Sequence, residues 1–283
     1  MTSIELLVQG LAPAAIVAVA AYGELLMERA GMLNLGLEGL VYFSSAAAAA
    51  AAAATGSLSA GFAVGALAGI ALILVYYVAA IVFRANQAVT GLAIVFLGIG
   101  LGDLVGSNAA GTPLPSLSLG VKNYASLALL VLPAVVLYAL LYRTWVGYAV
   151  RSLGEDVEAA RFLGVNVAVY RLAVALTAGA LAGIAGAFIF LSRPGTWSAG
   201  VALGWGWLAL GSVILGYWHP VGVAAAAYLI GLANTLIMVL EGLGVPAVVA
   251  ENTPYIMVVV ALALVSWLYE RIGARPPALI WRR

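Results

Sequence analysis

Residues 31–39 read GMLNLGLEG: three glycines, an asparagine and a glutamate set between two long apolar runs. Each glycine costs about 1 kcal/mol in helix propensity against alanine, so three within nine residues argue for an interrupted or closely approached helix. Outward from this stretch, the 283-residue chain is 65% hydrophobic and 8% charged. Soluble domains are about a quarter charged, and a chain this poor in charge lacks the polar material to cover a water-facing surface. The sequence therefore reads as an all-α polytopic membrane protein. Within lipid, non-helical backbone at 31–39 survives only beside protein or water. Long apolar runs without period-2 alternation exclude an outer-membrane barrel.

Spans of about 20 apolar residues cross the hydrocarbon core. Nine are expected, at 4–22, 40–54, 61–83, 88–107, 125–142, 172–191, 200–217, 221–240 and 254–270. A broken or re-entrant helix near 23–54 would make the count eight or ten. The N-terminus has no basic residue before Arg29, so it lacks the n-region of a cleaved signal peptide and reads as a retained first helix. Arginines orient the chain. Arg271, Arg275, Arg282 and Arg283 sit in the tail, and Arg143, Arg151, Arg161 and Arg171 in the loop 143–171. Loops rich in Lys and Arg stay in the cytoplasm, so the loop and the C-terminus belong inside a multi-pass cell-membrane protein, surrounded by lipid. Counting back leaves the N-terminus outside and 23–39 inside. The longest outer segment, 107–126, reads as an irregular cap, so residues 1–283 form one transmembrane domain. With no cysteine and one histidine, neither a disulfide framework nor a metal site is expected, and no nucleic-acid partner is.

The loop 143–171 predicts a short helix. Ser152 stands three residues before Glu155 in a capping-box spacing, Glu155, Asp156 and Glu158 occupy the first turn, and Gly164 stops it. Val157, Ala160 and Leu163 recur every three residues on one face. Either the helix rests on lipid headgroups or it docks a cytoplasmic partner. Its acidic start fits docking better, because interfacial anchors are usually basic.

From "GEDVEAARFLGVNVAVYR" through the small-residue helix to Leu191, the sequence resembles the coupling loop of ABC importer permeases of the branched-chain amino acid and simple-sugar type. "GELLMERAGMLNLGLEG", "FRANQAVTGLAI" and "GWGWLALGSVILGYWHPVG" resemble segments of the nucleoside and simple-sugar branch, in family order. Val157 stands where that family usually has proline, which should lengthen the short helix. Trp205 and Tyr217 stand where relatives often carry arginine.

The resemblance implies a second homologous permease, a cytoplasmic ABC ATPase carrying ATP and Mg, and an extracellular substrate-binding protein or lipoprotein, with no cofactor on this chain. ATPase coupling would fall to Gly154, Glu155, Asp156, Glu158, Ala159, Ala160, Arg161 and Gly164. Independently, a Walker A loop needs Gly-Lys-Ser/Thr, and the single lysine, Lys122, follows Val121, so this chain cannot hydrolyse ATP by that route.

An ionisable residue at the bilayer centre costs about 2.5–3.5 kcal/mol and should face a cavity or a partner. Asn34 and Glu38, four apart among glycines, are candidates for the substrate pathway or its gate. Asn86 and Gln87 are pathway candidates for which helix capping is the plainer account. Trp205 and Trp207 could stack on a base or sugar ring, whereas Tyr217 and Trp218 read as an interfacial belt. Glu24 and Glu28, four apart, would repel unless wet or balanced by Arg29 and are expected to hold the 23–39 turn, and Asp103 either meets the binding protein or snorkels. An ion-coupled secondary transporter of a small polar solute would also use a broken, acidic helix, but no second glycine-broken, charged segment is evident in the other half.

Overall fold

The computed structural model describes residues 3–192 and 195–272. Among them the regular elements are helices, with one isolated bridge between Ala110 and Trp197. Eight helices are long and apolar enough to cross a membrane. The first runs as α1 (Ser3–Gln9) and, after Gly10, α2 (Leu11–Arg29). Then come α3 (Leu37–Thr55), α4 (Leu58–Tyr76) with a π-helical extension to Val82, α5 (Gln87–Gly106) and α6 (Leu119–Arg143). The short α7 (Trp145–Glu155) and α8 (Val157–Phe162) form a hairpin before α9 (Val167–Leu191). After α10 (Trp205–Leu215) follow α11 (Pro220–Gly242), the single turn α12 (Ala247–Ala250) and α13 (Thr253–Ile272).

The expected span at 200–217 is corrected. Its helix has 11 residues, about 16 Å against a core of about 30 Å. Residues 195–204 ahead of it are non-helical, because Gly200 and Gly204 adopt positive φ of 83° and 92°. Among the described residues the chain leaves the helical path at 30–36, between α2 and α3, and at 195–204, ahead of α10; the second stretch is glycine-broken but uncharged, so it is not the second charged segment an ion-coupled carrier would need. The tail arginines at 275, 282 and 283 lie outside the described residues.

Helix α2 is the axis of the bundle. Every residue from Ala14 to Glu28 is buried, enclosed by α6, α9, α10 and α11. An element apolar on all sides belongs in such a position. Helix α9 packs against α2, α3 and α4, and small residues bring the backbones together: Gly65 and Gly69 lie against Gly179 and Gly183. The alanine run of α3 serves the same packing, with Ala48 against Gly61 and Gly65. At the end of the bundle away from the hairpin, the cap at 107–118 is knitted to the second break. Leu114 N–H donates to Gly195 O (2.9 Å), Leu117 N–H donates to Leu191 O (3.0 Å), and the buried Trp197 indole sits on Gly106.

Candidate functional site

Helix α2 ends in a Schellman motif. Gly31 takes φ 71°, Met32 N–H donates to Met27 O (2.9 Å), and Gly31 N–H donates to Glu28 O (3.0 Å). From there the buried segment 30–36 runs without helix, and side chains from surrounding helices take its backbone groups. Arg171 Nε donates to Ala30 O (3.3 Å), Leu33 N–H donates to Gln87 Oε1 (2.6 Å), and Tyr76 OH donates to Leu33 O (2.6 Å). Asn34 N–H and Nδ2 donate to Glu24 (3.2 and 3.1 Å), and Gly36 N–H donates to Asn34 Oδ1 (3.0 Å). This is how irregular backbone is tolerated away from water. Gly23 contacts Ala178, close to the midpoint of α9, so Glu24 stands at mid-bundle.

Glu38 is 1% exposed, one residue into α3, and its carboxylate caps α10. Oε1 accepts from Gly204 N–H (2.5 Å), and Oε2 accepts from Gly206 N–H (2.8 Å) and Trp207 N–H (3.2 Å). These amides converge on the carboxyl group at the positive end of the helix dipole. Glycine is required at 206, where a Cβ would run into the Glu38 backbone. One turn along α3, Tyr42 OH donates to Asp103 Oδ1 (2.5 Å) and accepts from Gly200 N–H (3.0 Å). Asp103 therefore has a partner rather than merely snorkelling.

The other end of α10 meets the end of α2. Helix α10 closes in its own Schellman motif, Trp218 N–H to Val213 O (3.1 Å) and Tyr217 N–H to Ile214 O (3.0 Å), but without glycine at the left-handed position. Tyr217 and Trp218 both have φ 52°, which costs about 1–2 kcal/mol per residue. Arg29 holds them, donating from Nε (2.9 Å) and Nη2 (2.6 Å) to Trp218 O, and Trp218 Nε1–H donates to Glu28. One expectation is corrected here: Trp218 is buried rather than part of an interfacial belt. Of the two alternatives for Glu24 and Glu28, balance by Arg29 is not the one found, since Arg29 serves the Trp218 carbonyl and Tyr142 OH (3.3 Å). His219 lies against the Tyr138 and Tyr142 rings; burial first, then the Arg29 guanidinium, pushes its imidazole pKa below the ordinary value.

Of the pathway candidates, Asn86 is the N-cap of α5, accepting from Val89 N–H (3.1 Å), while Gln87 holds Leu33. Trp205 and Trp207 do not form one platform, since two residues on a helix stand about 200° apart. Trp205 lines a cavity of about 680 Å³ with Gln9, Lys122, Asn123 and Asn234, and Trp207 is 41% exposed.

The hairpin differs in detail from expectation. Ser152 lies inside α7 with its hydroxyl on Ala149 O (2.8 Å), so it caps nothing. The extended Asp156 caps α8, accepting from Glu158 N–H (3.0 Å) and Ala159 N–H (3.1 Å). Glu155 therefore ends α7, and Val157 occupies the first position of α8, where proline is also at ease, instead of lengthening the helix. On the expected face Ala160 is buried among Ala149, Leu153 and Val165, while Leu163 is 72% exposed; its neighbour Phe162 is 90% exposed. Gly164 stops α8 with φ 84°, and Arg161 pairs with Glu158 (3.1 Å). Gly154 is pressed against Arg29 O, joining the hairpin to the end of α2.

Eight apolar spans, a half-length helix behind a non-helical stretch and a helical hairpin at one end make the described residues a polytopic helical membrane protein. The chain belongs to the family described as branched-chain amino acid transport system / permease component, which matches residues 6–267. It is 31% identical over 79% of its length, and 74% of the relative's, to TsgC13 of Haloferax volcanii, named as a glucose ABC transporter permease protein. It is 27% identical to the nucleoside ABC transporter permease protein NupC of Lactococcus lactis, covering 86% of each chain. To the guanosine ABC transporter permease protein NupQ of Bacillus subtilis it is 29% identical, covering 88% of each. Its fold matches a solved inward-facing ABC transporter of metal-chelate type at TM-score 0.56 and 16% identity, over 93% of this chain and 85% of that one. The chain is thus the permease component of an ABC transporter, the non-catalytic membrane part, and the secondary-carrier reading is set aside.

Proposed function

We propose that this permease forms half of the pathway of an ABC importer for a nucleoside or a simple sugar. A second homologous permease completes the pathway, a cytoplasmic ATPase holding ATP and Mg drives it, and an extracellular binding protein or lipoprotein supplies solute at the cap. The C-terminus is then cytoplasmic. The observation that carries this reading is the hairpin. Ala160 seals α8 onto α7, yet Phe162 and Leu163 stand outward beside Glu158 and Arg161, an apolar tip with a charged rim suited to a groove on the ATPase. The nucleoside and sugar classes rest on the relatives' names. Asn34, Glu38, Asn86 and Gln87 have polar groups engaged by backbone, so their part in the pathway is to hold its wall.

The test is co-purification from detergent with the cognate ABC ATPase. Phe162→Asp or Glu158→Arg should strip the ATPase from a permease that remains folded. Undiminished assembly and solute-stimulated hydrolysis in both variants would refute the docking role. A binding screen of nucleosides and sugars on the cognate extracellular protein decides the substrate.

A further inference from the structure

Helix α10 is gripped at both ends by acidic side chains that flank one non-helical segment. At its start, the Glu38 carboxylate takes three consecutive-turn amides, those of Gly204, Gly206 and Trp207. At its end, Glu28 and Arg29 hold the indole and the carbonyl of Trp218. Residues 30–36 join the two grips, and Gly154 of α7 lies against the Arg29 carbonyl. We infer that Glu38 and the Glu28–Arg29 pair are positioning residues that make α10 a rigid rod moved by α7, carrying a push on the hairpin to the middle of the permease.

Three observations favour this. The Glu38 carboxylate is 1% exposed and holds three amides, so α10 cannot leave it without unmaking hydrogen bonds to a buried acid. The Glu38 backbone abuts Gly206 directly, so α10 cannot slide along α3 and must follow it. Tyr217 and Trp218 are both left-handed, a conformation that persists only where the surroundings over-determine it. Arg29 and Glu28 supply that constraint, so moving them moves the end of α10.

The coupling half of the inference rests on the reading that an ATPase docks on the hairpin; the rod itself does not, and each half has its own measurement. Hydrogen exchange on the permease alone in lipid nanodiscs tests the rod, comparing wild type with Glu38→Gln and Trp218→Phe. Loosening either grip should raise exchange at least tenfold at both ends of α10, including the amides of Tyr217 and Trp218 in Glu38→Gln. Loosening confined to the substituted end overturns the rod. Proteoliposomes containing the ATPase test the coupling. Both variants should hydrolyse ATP within twofold of wild type yet move several-fold less solute per ATP, and an unchanged ratio overturns the coupling. Should Glu38→Gln fail to accumulate, Trp218→Phe, which keeps an aromatic ring while removing the indole donor, decides both measurements. A wild-type permease that assembles with no ATPase overturns the docking reading, while the exchange result still decides the rod.

Discussion

The surroundings of segment 30–36 and the α7–α8 hairpin both carry glutamates and arginine, and burial makes them opposites. In the hairpin, Glu158 and Arg161 pair at 69% and 61% exposure, where water competes and an ion pair is worth little. Around 30–36, Glu24, Glu28 and Glu38 are buried, and each carboxylate bonds to N–H donors that have no alternative. A glutamate in the first place shapes a surface; in the second it determines whether backbone can leave the helical path at all.

The largest test of that contrast is Glu38→Ala. It strands three amides, one buried and two part-buried, and should destabilise the protein by about 3–5 kcal/mol, read as loss of folded material or a lowered Tm in detergent. A cost under about 1 kcal/mol would erase the distinction. Next comes Gly206→Ala, which drives a methyl into the Glu38 backbone and should cost at least about 1–3 kcal/mol. Gly31→Ala and Gly164→Ala place a Cβ at φ 71° and 84° in the buried segment and the hairpin, and each should cost about 1 kcal/mol. Equal losses would show that the backbone preference is local, leaving burial as the source of the difference. Smallest is Glu158→Ala, expected within about 0.5 kcal/mol of wild type in thermal unfolding. A larger loss would mean the exposed pair supports the permease fold itself.

The break between α2 and α3 was legible because three glycines in nine residues oppose a helix wherever they stand. The partner of Glu38 was not, because the amides it caps lie 166 to 169 residues away and carry no side-chain signature. The four-residue spacing of Asn34 and Glu38 suggested a shared helical face. Asn34 precedes α3, however, and turns back to Glu24, so the two serve different elements. The half-length of α10 was written in Gly200 and Gly204, yet the apolar residues around them imitated a full span. In the hairpin, Ser152 and Glu155 matched a capping pattern, but Thr144 had already opened α7 by accepting from Gly147 N–H (3.2 Å), which shifted the boundary to Asp156.

The long reach of these grips bears on how the chain is made. Glu28 meets Trp218 190 residues later, and Glu38 meets Gly204 166 residues later. The first two spans therefore enter the bilayer bearing, near their ends, carboxylates whose partners are still untranslated. Both pairings close only once residues 204–218 have been made, so one 11-residue helix, α10, supplies the partners of both early carboxylates.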